Sequence, residues 1–271
     1  MTRYEAMFER CREFGQAAFG AFLMIGDPGA TTSAAYLDAL VEGGADFIEL
    51  GIPFSDPVAD GPIIQAAAQR ALKAGVRTAD CLRIVADLRR RHSRIPIGVL
   101  TYANIVAARG IDCFAQELAS AGVDSLLIAD VPSIEAAPYA TAAHATGIDL
   151  IMIAAPSTPR EALERICRYT SGYTYCVARP GVTGTDATLG LDHEQLFRSL
   201  GELGAPPPIL GFGISSPTHV RQAVAAGAAG AISGSALVDL VARGDSPAEL
   251  AELVRSMKDA TRRAAAAAAA T

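Results

Sequence analysis

The chain has 271 residues, 51% of them hydrophobic, and a formal net charge of -6. That length suits one large α/β domain, up to an eight-fold barrel, and the apolar content is ample for a single core. The acidic balance and the lack of a basic run argue against a nucleic-acid protein, and no apolar run is long enough to span a bilayer.

The five cysteines (Cys11, Cys81, Cys113, Cys167, Cys176) are odd in number and scattered, with no C-x-x-C, which suits reduced thiols in the cytoplasm. Acids interrupt the first twenty residues and no apolar h-region exists, so they read as an amphipathic helix and not a signal peptide. Arg89, Arg90, Arg91 and Arg94 read as favourable charge at a helix C-terminus.

In chain order, Tyr4–Phe14 places Tyr4, Met7, Phe8, Cys11 and Phe14 on one helical face that is expected to plug one end of the architecture. Ala17–Ile25 reads as the first strand, ending in the turn G-D-P-G (26–29), and a helix follows over Thr31–Val41. The second strand is Phe47–Gly51; a short helix follows Pro62 and a longer one covers Thr78–Arg91. Next come a strand at Pro96–Tyr102, a helix at Ile111–Ala121, a strand at Ser125–Ala129 and a helix at Ser133–Thr146 stopped by Gly147. Asp149–Ala154 is the fifth strand, Pro159–Tyr169 a helix and Tyr173–Val177 the sixth strand. His193–Leu203, Ser216–Ala226, Ser235–Val241 and Pro247–Arg262 read as helices, with strands at Pro208–Gly211 and Gly230–Ser233. Eight short apolar strands alternating with helices predict a parallel (β/α)8 TIM barrel spanning 1–263. The low-complexity Ala tail (264–271) is expected to fray and carries no assigned role.

The stretch F-I-E-L-G-I-P-F-S-D-P-V-A-D-G-P (47–62) stands out. An acid inside an apolar run, Glu49, costs free energy unless it is paired, protonated or used. A loop fixed by Pro53 and Pro57 brings two more acids, Asp56 and Asp60. Glu49 and Asp60 are the expected working pair, with a raised pKa at Glu49.

Strand ends G-F-G-I-S-S (211–216) and A-I-S-G-S-A (231–236), with G-V-T-G-T (181–185), form three Gly-rich edges suited to a phosphate. The only two lysines, Lys73 and Lys258, fall in helices, which removes a Schiff-base aldolase. The four histidines are not at metal-ligand spacing with Cys or acids, so no metal is expected. No G-x-S-x-G elbow occurs, and the dinucleotide fingerprint lacks its third glycine. Phe22, Leu100, Tyr102, Leu127, Ile153, Tyr175, Phe212 and Ile232 lie near strand ends and suit a flat aromatic group on a phosphorylated chain. What remains is acid/base C–C cleavage with the substrate's own ring as electron sink.

Those residues carry a resemblance. I-E-L-G-I-P-F-S-D-P-V-A-D-G-P (48–62), G-D-P (26–28), A-D-V-P (129–132), G-V-T-G (181–184), G-F-G-I-S-S-P (211–217) and A-G-A-A-G-A-I-S-G-S-A (226–236) resemble the tryptophan synthase α subunit over nearly the whole chain. The resemblance implies reversible cleavage of indole-3-glycerol phosphate to indole and glyceraldehyde 3-phosphate. It implies a β subunit partner in an α2β2 complex, with PLP in that subunit and no cofactor in this chain. Carried over, Glu49 protonates the indole C3 and handles the glycerol hydroxyl proton, while Asp60 stabilises positive charge on the indole nitrogen. Gly184, Gly213, Gly234 and Ser235 then hold the phosphate, Phe22, Leu100, Tyr175 and Phe212 line the indole pocket, Thr183 belongs to the substrate-binding set, and Pro53, Asp56 and Asn104 lie near the β-subunit face. The chain departs from the family at Ala178 and Pro180, beside Arg179, where serines are common, and at Phe22–Ile25. A stand-alone lyase supplying indole to specialised metabolism, or a non-catalytic activator of a β subunit, are the alternatives.

Overall fold

In the computed structural model, which describes residues 1–177 and 191–262, the strands are apolar because both of their faces are covered. Every residue of β1 (Ala18–Met24) and β2 (Phe47–Gly51) is buried. The other strands are β3 (Ile97–Thr101), β4 (Ser125–Ile128), β5 (Asp149–Ile151), β6 (Ile153–Ala154), β7 (Thr174–Val177), β8 (Pro208–Gly211) and β9 (Gly230–Ser233). All neighbours are parallel, in the order β5-β4-β3-β2-β1-β9-β8-β7-β6.

The two ends of that order are halves of one predicted strand, broken at Met152. Its first half pairs with β4 and its second with β7, and the Tyr175 N–H donates to the Met152 carbonyl at 3.1 Å. The ring therefore closes through an interrupted strand, and the predicted (β/α)8 barrel is the observed architecture.

Around it lie α1 (Arg3–Glu13), α2 (Ala30–Glu42), α3 (Pro62–Lys73), α4 (Thr78–Arg91), α5 (Ala103–Arg109), α6 (Ile111–Ser120), α7 (Ala137–Thr146), α8 (Arg160–Tyr169), α9 (Leu191–Glu202), α10 (Pro217–Ala225), α11 (Ser235–Arg243) and α12 (Pro247–Asp259). Three local readings change. No local sequence signal marks α5, whose first N–H, that of Ala103, donates to Asp130 Oδ1 at 2.8 Å. A cap supplied from another loop is not a local signal, and it gives Asp130 a role. α7 starts at Ala137 and not Ser133: Pro138 sits in its first turn, and Ser133–Glu135 forms a separate 3-10 turn. Phe14, expected on the buried face of α1, is 70% exposed because the helix stops one residue before it.

The rest of α1 plugs the N-terminal end of the barrel. Tyr4, Met7 and Cys11 are buried, and the rings of Tyr4, Phe47 and Tyr173 meet at centroid distances of 5.4–6.0 Å. The Tyr4 and Ser125 hydroxyls share a hydrogen bond of 2.8 Å. Gly98 makes room for it, since a Cβ there would stand 2.7 Å from Ser125 Oγ.

Two aspartates lock this base. Asp46 Oδ2 accepts from the Phe19 N–H at 2.8 Å and from Lys258 Nζ at 2.7 Å. Asp124 accepts from Arg3, from Arg89 and from the Ile97 N–H. Arg89 also donates to the carbonyls of Gly122 and Ile95, so it is an internal tie between loops and not merely charge at a helix end.

Candidate active site

Glu49 lies in the centre of β2, level with Phe22 of β1 and Gly98 of β3. Side chains alternate along a strand, so Ile48 and Leu50 take the helix-facing side while Glu49 enters the barrel. Its side chain stands on the aromatic floor and is 1% exposed. The Tyr173 hydroxyl donates to Glu49 Oε1 at 2.9 Å. Oε2 has no partner among the described residues. Burial pushes the carboxyl up to about 7; the Tyr173 hydrogen bond opposes that rise and the charge of Asp60 adds to it.

Asp60 ends the loop after β2. Its N–H donates to the Pro57 carbonyl at 3.2 Å, and its carbonyl accepts from Gln65 Nε2 of α3 at 2.7 Å. Burial pushes its carboxyl up to about 6, against a hydrogen bond from the Tyr102 hydroxyl. That hydroxyl also accepts from the Ala59 N–H at 3.3 Å, and the Tyr102 ring stacks on Phe54 at 5.2 Å. Among the described residues neither carboxyl has a cation beside it, and each is held by a tyrosine.

Both acids line a cavity at the C-terminal mouth of the barrel, together with Phe22, Leu100, Tyr175, Phe212, Gly213, Ile232, Gly234 and Ser235 from the sequence expectation. Tyr175 presses on Gly211, where a Cβ would stand 2.1 Å from its hydroxyl. Three lining residues escaped the sequence reading: Ile64, Ile214 and Ser215. Ile64 belongs to the first turn of α3, which opens at Pro62, and Ile214 and Ser215 lie inside the motif 211–216, where no residue type marks them as lining.

Three expected pocket residues sit elsewhere, the first of them Ile153 of β6, which is half-buried and outside the cavity lining. Leu127 is buried within β4 and does not line the cavity. Tyr102 is 2% exposed and acts behind Asp60. Thr183 and Gly184 lie outside the described residues, as do Ala178, Pro180 and the Ala tail. Of the residues assigned to a partner face, Asp56 and Asn104 are exposed, whereas Pro53 is buried and shapes the loop from within.

Opposite the acids, Phe212 and Gly213 adopt left-handed backbone with φ of 66° and 77°. This turns the segment 212–215 along the cavity edge. Facing it, Gly234 and Ser235 open α11, whose leading N–H groups have no carbonyl partner within the helix. Such a helix start, with a serine hydroxyl at its tip, attracts an anion. One end of the cavity therefore suits a phosphate and the other a flat apolar ring between two acids. Among the described residues no three His, Cys, Asp or Glu side chains gather as a metal site.

The family profile described as "Tryptophan synthase alpha chain" matches residues 8–268. The tryptophan synthase alpha chain of Aeromonas hydrophila is 50% identical over 268 residues, covering 97% of this chain and 100% of the relative. That of Shewanella amazonensis is 48% identical over 266 residues, covering 96% and 100%. Among solved structures, Mycobacterium tuberculosis tryptophan synthase superposes with a TM-score of 0.89 at 32% identity, over 97% of this chain and 99% of that one. The alpha chain from Legionella pneumophila gives 0.85 at 28% identity, over 96% and 97%. On this agreement of sequence, fold and site, the chain belongs to the tryptophan synthase alpha chain family.

Proposed function

We propose that the mouth cleaves indole-3-glycerol phosphate to indole and glyceraldehyde 3-phosphate, with Glu49 as general acid and base and Asp60 as the charge partner of the indole nitrogen. The observation that carries this reading is a pair of buried carboxyls, without a cation partner among the described residues, facing an anion cradle across an apolar cavity. Family membership makes the chain a lyase, the alpha subunit of tryptophan synthase in tryptophan biosynthesis.

The two environments divide the labour. A group poised near 7 keeps a proton to give at neutral pH, while one near 6 is mostly ionised there. Protonated Glu49 delivers its proton to ring carbon C3. The ring nitrogen takes up positive charge and ionised Asp60 stabilises it. The bond from C3 to the side chain then breaks, and its electron pair returns to the ring. The hydroxyl proton of the forming aldehyde passes to the Glu49 carboxylate, which restores the starting state. Gly213, Gly234 and Ser235 hold the phosphate; Phe22, Leu100, Tyr175 and Phe212 sandwich the ring.

A tryptophan synthase β subunit carrying PLP, in an α2β2 complex, docks on the exposed loop around Asp56 and on the start of α5 at Asn104. The unpaired cysteines suit a cytoplasmic complex. The test is indole release from indole-3-glycerol phosphate with and without a β subunit, in the wild type and in Glu49→Gln and Asp60→Asn. Low release that rises with β and is lost in both variants is the expected result. Full activity in Asp60→Asn would overturn the assignment, and high release indifferent to β would mean a stand-alone lyase.

A further inference from the structure

The anion end of the cavity rests on a strained segment. Phe212 is the one non-glycine with positive φ among the described residues. A bulky residue in left-handed backbone is unfavourable and persists only where its surroundings fix it. The next question is what fixes it.

One peptide unit answers. The carbonyl of Ile214 accepts from Ser233 Oγ at 2.7 Å, and Ser233 is fully buried. The N–H of the same peptide, that of Ser215, donates to Nδ1 of His219 at 3.3 Å. Ser215 Oγ lies at the same distance from Nδ1. Both edges of the 214–215 peptide plane are thus gripped, one from the end of β9 and the other from the first turn of α10. His219 is itself fixed there, because its backbone N–H donates to Ser216 Oγ, the N-cap of α10, at 3.3 Å. A side chain at N3 usually reaches back to the N-cap N–H. Here it reaches one residue further and takes the N–H of Ser215, which lines the cavity.

We propose that His219 and Ser233 are positioning residues that clamp the 214–215 peptide and so aim the 212–215 segment at the substrate's phosphate. The proposal rests on the phosphate-ester reading of the cavity given above and goes beyond it in naming two residues behind the cradle. To accept from the Ser215 N–H, Nδ1 must be unprotonated, so the imidazole is the Nε2–H tautomer. With that edge released, Phe212 and Gly213 are free to relax from the turn and the cradle loses its preset shape. Phosphate lies far from the reacting carbon, so the loss falls on binding and leaves the chemical step in place.

The test compares wild type, His219→Ala, His219→Asn and Ser233→Ala in two assays: steady-state indole release, and calorimetric binding of glycerol 3-phosphate and inorganic phosphate. Asparagine places a carbonyl oxygen where Nδ1 stood and preserves the acceptor. Expected is a roughly fivefold rise in KM for His219→Ala with kcat within twofold, the same factor in phosphate binding, and recovery in His219→Asn, as suits the loss of one hydrogen bond. Ser233→Ala weakens phosphate in the same way. An unchanged KM and phosphate affinity in His219→Ala, or His219→Asn no better than alanine, would overturn the clamp. A wild type that binds phosphate but releases no indole would sink the reaction assigned above, while the phosphate titrations would still decide the clamp.

Discussion

The two ends of the barrel treat buried acids in opposite ways. At the base, Asp46 meets Lys258 and a backbone N–H, and Asp124 meets Arg3, Arg89 and a backbone N–H. At the mouth, Glu49 and Asp60 meet tyrosine hydroxyls and, among the described residues, no cation. A buried carboxylate with a cation and an N–H stays ionised and ties elements together. One with only a hydroxyl is pushed upward by burial toward neutral pH, where it can exchange protons. The same residue type thus serves as rivet at one end and, in the proposed reaction, as reagent at the other, and the neighbouring charge sets the difference.

Breaking the mouth should give the largest effect on rate. Glu49→Gln removes the carboxyl placed at the cavity floor, and indole release should fall by about a thousandfold, within the usual reach of general acid/base catalysis. The same variant should gain stability. A carboxyl raised from 4.5 to about 7 in the fold favours the folded state fully only below its unfolded value, and that benefit is lost as pH climbs through 7. Urea unfolding at pH 8 should therefore show Glu49→Gln more stable than wild type by up to about 3 kcal/mol. At pH 4 the gain should vanish.

Asp60→Asn keeps the shape of the loop but removes the charge proposed to face the ring nitrogen. A loss of about a hundredfold in kcat is expected, measured under saturating substrate. Equal loss in kcat and kcat/KM would mark it as an interaction of the transition state alone.

At the base the comparison predicts the reverse pattern. Lys258→Met takes its closest cation from Asp46, whose side chain is 7% exposed, and leaves it with Arg10 at 3.7 Å. Stability should drop by about 3 kcal/mol in denaturant unfolding, as for other broken buried pairs. The kcat of the folded fraction should stay within twofold.

The smallest effects sharpen the contrast between the two mouth acids. The pH profile of kcat/KM should be bell-shaped, with limbs near the apparent values of the pair, about 6 and about 7. Tyr173→Phe removes a bond that holds Glu49 down, so the alkaline limb should move up and the bell should widen. Tyr102→Phe removes the bond that holds Asp60 down, so the acid limb should move up and the bell should narrow. Shifts in the same direction with opposite effects on width would separate the two acids in one experiment.

Glu49 could be found in the sequence because an acid amid Phe47, Ile48 and Leu50 has no cheap explanation. Asp60 stood out through its rigid Pro-bearing loop. The eight strands were legible because a doubly covered strand must be apolar along its whole length. What escaped was information held between distant segments. α5 takes its cap from Asp130, and Tyr102 turns away from the cavity to hold Asp60. Leu127 looks like its neighbours in sequence, and only the barrel's depth separates a wall residue from a lining one. The grip of His219 on Ser215 joins positions four apart, yet it depends on the turn at Phe212, which residue types alone do not announce.

The interrupted strand at Met152 has a consequence for motion. β5 contributes three register pairs to β4, and β6 two to β7, the number that β8 and β9 also share, whereas β1 and β2 share five. Fewer ladder bonds must break there to part the wall, so amide hydrogen exchange should be faster along residues 150–154 than along β1 or β2. Ile153 stands level with Tyr175, one of the residues that face the ring site. The cylinder therefore has a seam, and it runs past the wall against which indole would lie.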